Sequence, residues 1–185
     1  MITESPTHLE IAEGNLKGNH VIDSQKTIAQ LKNIFLDENV RSKMKQDKVV
    51  YRVQALLPVE QGTEGGLFFG TSWIEPGMVG EEYFMTQGHF HKLSNRAEYY
   101  WGIKGEGALI LMDRNRNCRA ELIYPGSLHY IPAHTAHRVA NIGNTQLVFS
   151  ACWPADAGYD YDEIIQRGFS ARLLKRNGKP DLINM

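Results

Sequence analysis

The sequence predicts an all-β sandwich or barrel with a partly helical N-terminal extension. Two observations carry that prediction. From Lys48 onward the chain is a succession of short runs rich in β-branched and aromatic residues. Gly, Pro and Asn interrupt these runs at intervals of about ten residues, the rhythm of strands joined by tight turns. Helical spacing is confined to the two ends of the chain.

The elements follow in order. Residues 1–47 read as the extension, packing on the barrel or on a partner subunit. Within "SQKTIAQLKNIFLDENVRSKMKQ", Ile28, Leu31, Ile34 and Phe35 recur at helical spacing with Lys and Asn between them. Ser24 is the candidate cap of that helix. Residues 48–185 read as the barrel. Its strands are expected in "KVVYRVQALLPV", "GLFFGTSWIEPG", "EEYFMTQGHFH", "AEYYWGIKG", "GALILMD", "RAELIYPG", "SLHYIPA", "HRVANIG" and "TQLVFSACW". The tail "YDEIIQRGFSARLLKRNG" predicts a short helix and a final strand. No internal repeat, low-complexity stretch or second domain boundary interrupts this order.

Bulk properties narrow the function. A chain of 185 residues fits one domain with a sizeable core. Hydrophobic residues at 42% and charged residues at 22% are ordinary for a globular protein. A net charge of −1 and a pI near 6.7 disfavour nucleic acid or a membrane surface as partners. A small anion held by a few local groups remains compatible with them. The start "MITESPTHLEIAEGN" lacks a basic segment followed by an apolar one, so no signal peptide is expected. No stretch reaches the roughly 18 apolar residues a membrane span needs. Cys118 and Cys152 are too few for a disulfide framework and match no zinc spacing. Reduced thiols and a cytoplasmic location are therefore expected, with Cys152 a buried core thiol.

The chemistry concentrates in "GHFHKLSNRAEYYWGIKGEG". Strand alternation points His89 and His91 to one face, and Glu98 and Tyr100 likewise share a face. A turn within "KLSNR" would bring the second strand back beside the first and set Glu98 against the histidines. Two imidazoles and a carboxylate form the three-ligand face of non-haem divalent metal sites. The bland alternative is a polar solvent face, which a lone HxH would favour. Glu98 followed by "GIKGEG" turns the balance toward metal.

A second stretch, "GSLHYIPAHTAHRVAN", supplies Gly126, Pro132, His137 and Asn141. Together with His89, His91, Glu98 and Gly105 this series resembles the two signature motifs of the cupin superfamily. The resemblance implies a double-stranded β-helix, or jelly roll, with four metal ligands, His89, His91, Glu98 and His137, converging inside the barrel. Two features depart from the pattern. His134 stands where the second motif often has Gly, and the gap before Glu98 is longer than in most cupins.

Residues outside those motifs narrow the resemblance. "TQGHFH", "RAEYY", "PAHTAHRVANIG" and above all "PADAGYDYDEI" resemble the cupin-type glucose-6-phosphate isomerases, known chiefly from archaea and some bacteria. The likeness runs from about Val49 to Phe169. It implies phosphate binding by Ser72, Thr86 and Gly88 with Tyr51, sugar contacts from Tyr100, Trp153 and Tyr161, and catalysis by Glu98 with Tyr100. Trp153 stands where the family commonly has Tyr, Tyr159 where it often has His, and Ser72 where it usually has Thr. The resemblance further implies one divalent metal per subunit, a phosphorylated hexose substrate and a homodimer. Iron(II) is the expected metal, and manganese, nickel, cobalt and zinc are compatible.

The reaction implied is the interconversion of glucose 6-phosphate and fructose 6-phosphate, by an enediol or by a hydride shift. Glu98 is either a ligand throughout or the proton-transferring base. Two other functions share the barrel: a non-enzymatic sugar-binding cupin and an iron-dependent cupin dioxygenase. The first would keep the barrel without needing a complete ligand set, and no DNA-binding segment is visible. The second would use the same ligands but would not need the "PADAG" block or the hydroxyls of the phosphate side. His8, His20 and His129 read as surface or packing residues, and His134 as a partner of a ligand. Trp73 and Trp101 read as core or interface residues.

Overall fold

The computed structural model describes residues 5–185; the first four residues of the extension lie outside them. In chain order the elements are β1 (His8–Leu9), β2 (Leu16–Lys17), β3 (Val21–Thr27), α1 (Glu38–Lys43), β4 (Val49–Leu56), β5 (Leu67–Ile74), β6 (Met78–Val79) and β7 (Glu82–Tyr83). There follow β8 (Glu98–Lys104), β9 (Gly107–Met112), β10 (Cys118–Ile123), β11 (Leu128–Ile131), β12 (Ala136–Asn141) and β13 (Leu147–Pro154). The chain ends in α2 (Asp162–Arg167), β14 (Ala171–Arg176) and β15 (Lys179–Asn184).

The strands build an all-β jelly roll of the cupin type. One wall is an antiparallel sheet in the order β11-β8-β13-β5-β4-β3. The other is the sheet β10-β9-β12. The segment from Phe84 to His89 runs antiparallel beside β12, through Thr86 N–H to Val139 O (2.9 Å), Asn141 N–H to Phe84 O (2.9 Å) and a bridge between His89 and His137. A third sheet, β15-β14-β7-β6, packs outside. Alternation accounts for the inner surface of the large sheet. Register aligns Ile22, Ala55, Gly70, Ala151 and Tyr100 in one row across five strands. A second row aligns Ser24, Val53, Ser72 and Phe149.

Residues 21–27 are an edge strand of the large sheet, so Ser24 is a strand residue and caps no helix. The expected helix over Ile28–Phe35 is a single 3-10 turn at Ala29–Leu31, and Asn33 adopts a left-handed φ of +63°. Ile28, Leu31, Ile34 and Phe35 are nonetheless buried in the core. A 3-10 turn also aligns residues three apart, so the same spacing buries the same side chains without an α-helix. The α-helix comes later, at α1, capped by Asp37, whose Oδ1 accepts from Val40 N–H at 2.9 Å.

The non-ligand residues of the second motif shape turns. Gly126 has a φ of +87° in the β10–β11 turn. Asn141 is fully buried and its amide donates to Ile74 O (2.9 Å) and Thr145 O (2.8 Å), stapling two connections together.

Candidate metal centre and substrate cavity

His89, His91, Glu98 and His137 each offer one ligand atom, and these atoms lie within 4.8 Å of one another. The bridge between His89 and His137 turns both rings to one face, and alternation turns His91 the same way. Glu98 enters from the start of β8. The side-chain atoms His89 Nε2, His91 Nε2, Glu98 Oε1 and His137 Nε2 are all buried without a hydrogen-bond partner. His137 Nε2 approaches Glu98 Oε1 to 2.5 Å and His91 Nε2 to 3.4 Å, in directions unsuited to hydrogen bonds. Orphaned buried polar atoms that converge on one point are costly unless a shared cation occupies it. Three imidazoles and one carboxylate are a donor set for a divalent transition metal.

Backbone carbonyls fix the rings. His91 Nδ1 lies 2.9 Å from Arg96 O and His137 Nδ1 lies 3.3 Å from Thr135 O. A carbonyl only accepts, so each Nδ1 carries the hydrogen and each Nε2 presents its lone pair to the centre. His134, expected to play this part, is exposed with a φ of +63°. The supporting carbonyls come instead from Thr135, its neighbour in sequence, and from Arg96.

Charge in the cluster is strongly coupled. Burial works against ionisation of Glu98, but His137 and His91 outweigh it and hold the carboxyl well below the usual range. Burial pushes His89 down, so that it stays neutral. Burial also pulls on His91, yet Glu98 and the Arg96 carbonyl overcome it and raise the ring. Tyr100, adjacent on β8, is pushed up by burial and by the Glu98 charge, which keeps its hydroxyl protonated.

Beside the cluster lies a cavity of about 380 Å³, lined by His89, Glu98, Tyr100 and His137 at one end. It exists because the row across the large sheet carries Ala55, Gly70 and Ala151 where a filled core would carry larger side chains. Tyr51, Ser72, Thr86, Gly88, Trp153 and Tyr161 all line it. Gly88 has a φ of +78°, and a Cβ there would sit 2.9 Å from Phe169 Cε2. Glycine is thus required at that position by backbone and by space. Thr86 Oγ1 accepts from Val139 N–H at 3.1 Å, which leaves its hydroxyl hydrogen free to donate. Trp153 packs edge-on to Phe68, ring centroids 5.9 Å apart.

The "PADAG" block acts as a clamp. Ala157 O accepts from Leu93 N–H at 2.9 Å, and Asp156 holds the Arg96 guanidinium through two bonds of 2.9 and 2.6 Å. Beyond the block, Asp160 bridges Phe90, so Tyr159 and Tyr161 fall on the same side as the flanking histidines. Their rings stack at 5.7 Å and meet His89 at 4.8 and 5.6 Å. Burial pushes the Tyr159 phenol up to about 12.

Residues 25–182 match the family described as glucose-6-phosphate isomerase (GPI). The chain belongs to the glucose-6-phosphate isomerase family. A glucose-6-phosphate isomerase of Thermococcus kodakarensis is 40% identical over 160 residues, 86% of this chain and 84% of its own. That of Thermococcus litoralis is 40% identical over 158 residues, covering 84% and 82%. That of Pyrococcus furiosus is 37% identical over 163 residues, covering 87% and 85%. A solved oxalate decarboxylase from Bacillus subtilis, 22% identical, overlaps 59% of this chain and 26% of its own with a TM-score of 0.46, too slight a likeness to build on.

Two features of this family member escaped the sequence. Lys26, on β3, lines the cavity beside Tyr51, its register partner on β4. Alternation of Ile22, Ser24 and Lys26 was the available signal, hidden because these residues looked like part of an extension. Arg138 is almost fully buried, donates to Gln87 O at 2.8 Å and lies under the Phe169 ring at 4.1 Å. Burial pulls its guanidinium down to about 9. Because a trans peptide sets C=O and N–H in opposite directions, this bond fixes the direction of the Gly88 N–H. No spacing in the sequence marks Arg138 for that position.

Proposed function

We infer that this chain interconverts glucose 6-phosphate and fructose 6-phosphate by metal-dependent aldose–ketose isomerisation. Family membership over nearly the whole chain carries the reading, and a cavity ending at four convergent ligand atoms supports it. His89, His91, Glu98 and His137 would hold one divalent ion, acting as a Lewis acid toward the carbonyl and hydroxyl oxygens of the substrate. We assign iron(II), with manganese, cobalt, nickel and zinc chemically compatible.

The chain's own residues supply positioning and proton transfer. Hydroxyls of Tyr51, Ser72 and Thr86 and the Gly88 N–H bind the phosphate. Trp153 and Tyr161 wall the sugar. The Glu98 carboxylate is ionised, lines the cavity, and turns Oε1 to the histidines. Its other oxygen is our candidate for the base that carries a proton between neighbouring carbons along an enediol route. Tyr100 keeps its proton and donates toward that carboxylate or the sugar oxygen. We place the enzyme in the cytoplasm as a homodimer. Two free thiols agree with the first, and exposed Tyr99, Leu128 and Tyr130 on β8 and β11 offer an apolar surface to the second.

The test is a coupled assay for fructose 6-phosphate conversion before and after chelation. Activity should vanish with the metal and return with a divalent transition ion. Full turnover in a preparation shown metal-free by elemental analysis would refute the metal-dependent reading.

A further inference from the structure

Hydroxyls and an N–H bind a phosphate without matching its charge, and the nearby Arg138 guanidinium is buried behind Gly88 rather than lining the cavity. The substrate's phosphate carries about −1.5 to −2 at neutral pH. Hydroxyl groups and peptide N–H groups supply hydrogen bonds but no net positive charge. Among the described residues lining the cavity, Lys26 is the one lysine or arginine. It stands next to the last residue of β3, pairs in register with Tyr51, and shares the cavity with Ser72, Thr86 and Gly88. Each ion pair among the described residues joins other side chains, and the lysines so used are Lys45 and Lys104. A half-buried ammonium turned into a cavity with no carboxylate partner is poised for an anion that arrives from outside.

We propose that Lys26 is a substrate-binding residue, the cation that receives the phosphate of the hexose phosphate and discriminates phosphorylated from unphosphorylated sugar. This rests on the isomerase reading for its kinetic test only. A lysine suits this role, because its flexible stem lets a point charge follow the phosphate into the cavity and out again. Its neighbours Tyr51, Ser72 and Thr86 then direct individual phosphate oxygens. The edge strand β3 thereby contributes to the cavity, since it carries Lys26 into the lining that also holds Thr86 and Gly88.

The experiment compares the full chain with Lys26→Gln and Lys26→Arg. Lys26→Gln should raise KM for fructose 6-phosphate about tenfold, the lower end for a hydrogen bond to a charged group because the site is half-open to water. The kcat should stay within about threefold, the mark of uniform binding. Inhibition by inorganic phosphate should weaken by the same factor as KM rises. Lys26→Arg, which keeps the charge, should recover most of both. Direct titration of inorganic phosphate into the metal-loaded protein reads the same site without turnover, so it stands even if the isomerase reading fails. Unchanged KM and unchanged phosphate affinity in Lys26→Gln would overturn the proposal, as would a fall in kcat with KM intact. Lys26 makes no other ion pair among the described residues and lies on an edge strand, so Gln preserves the fold, which circular dichroism checks.

Discussion

Replacing Asp156 by Asn should loosen the metal without touching a ligand. Asp156 grips Arg96 through bonds of 2.9 and 2.6 Å, and the carbonyl of Arg96 accepts from His91 Nδ1–H at 2.9 Å. The amide keeps one acceptor oxygen but loses the charge and the fork geometry that suits a guanidinium. Direct loss of a ligand's hydrogen-bonding partner typically weakens a metal about 10–100-fold. Here the carbonyl itself survives and is still steadied by the bond from Arg96 N–H to Leu93 O at 3.1 Å. The loss should therefore sit at the low end, about tenfold. Competition with a chelator of known affinity at fixed pH reads it, and kcat at saturating metal should stay within about threefold. The pH dependence has a definite sign. Arg96 holds the Asp156 carboxyl below its ordinary 3.8, so the clamp is intact above that value and opens only as pH falls below it. Metal released by the wild type well above that pH must therefore come from protonation of ligands rather than from the clamp. An Asp156→Asn variant with wild-type metal affinity would refute this chain of reasoning and leave the "PADAG" block without a role in metal retention.

Two further substitutions address the chemistry. Glu98→Gln keeps size and one oxygen but removes charge and basicity, so turnover at saturating metal should fall about 10²–10⁴-fold. Incorporation of deuterium from solvent into product should accompany wild-type turnover on the enediol route. Near-wild-type kcat in the metal-saturated variant would remove Glu98 as base. Thr86→Val should raise KM for fructose 6-phosphate about 10–100-fold, the equivalent of roughly 1.5–3 kcal/mol for a bond to a charged group. Because Thr86 Oγ1 also accepts from Val139 N–H, Thr86→Ser is the control that restores both bonds. An unchanged KM in Thr86→Val with intact circular dichroism would take Thr86 out of the phosphate site.

The barrel was legible because alternation and turn residues are local signals. Spacing set His89 and His91 on one face, but no hairpin brings Glu98 to them: the segment through His89 runs beside β12, while β8 pairs with β11 and β13 in the other sheet. The N-terminal segment was less legible. "VIDSQKT" has its two apolar residues, Val21 and Ile22, adjacent at one end and neither buried, so its strand character shows only once β4 supplies a partner. The helix expected at Ile28–Phe35 failed because burial at that spacing does not separate a 3-10 turn from an α-helix. The supports of the ligand rings were invisible for another reason. Arg96 and Asp156 stand sixty residues apart, and the groups that orient His91 and His137 are backbone carbonyls, which every residue possesses. His134 drew attention as a histidine near the motif, yet its carbonyl-bearing neighbour Thr135 does the orienting.

The row of Ala55, Gly70 and Ala151 has a thermodynamic consequence. Each methylene withheld from that wall forgoes about 0.8 kcal/mol of burial. The space so gained is the space we assign to the substrate, and a Cβ added at Gly70 would already stand 3.0 Å from the Trp153 ring. The wall to which we assign the sugar is thus packed around open space that a bound sugar would fill. Selection for heat resistance and selection for turnover pull this row in opposite directions. Larger residues there would be favoured by the first and forbidden by the second.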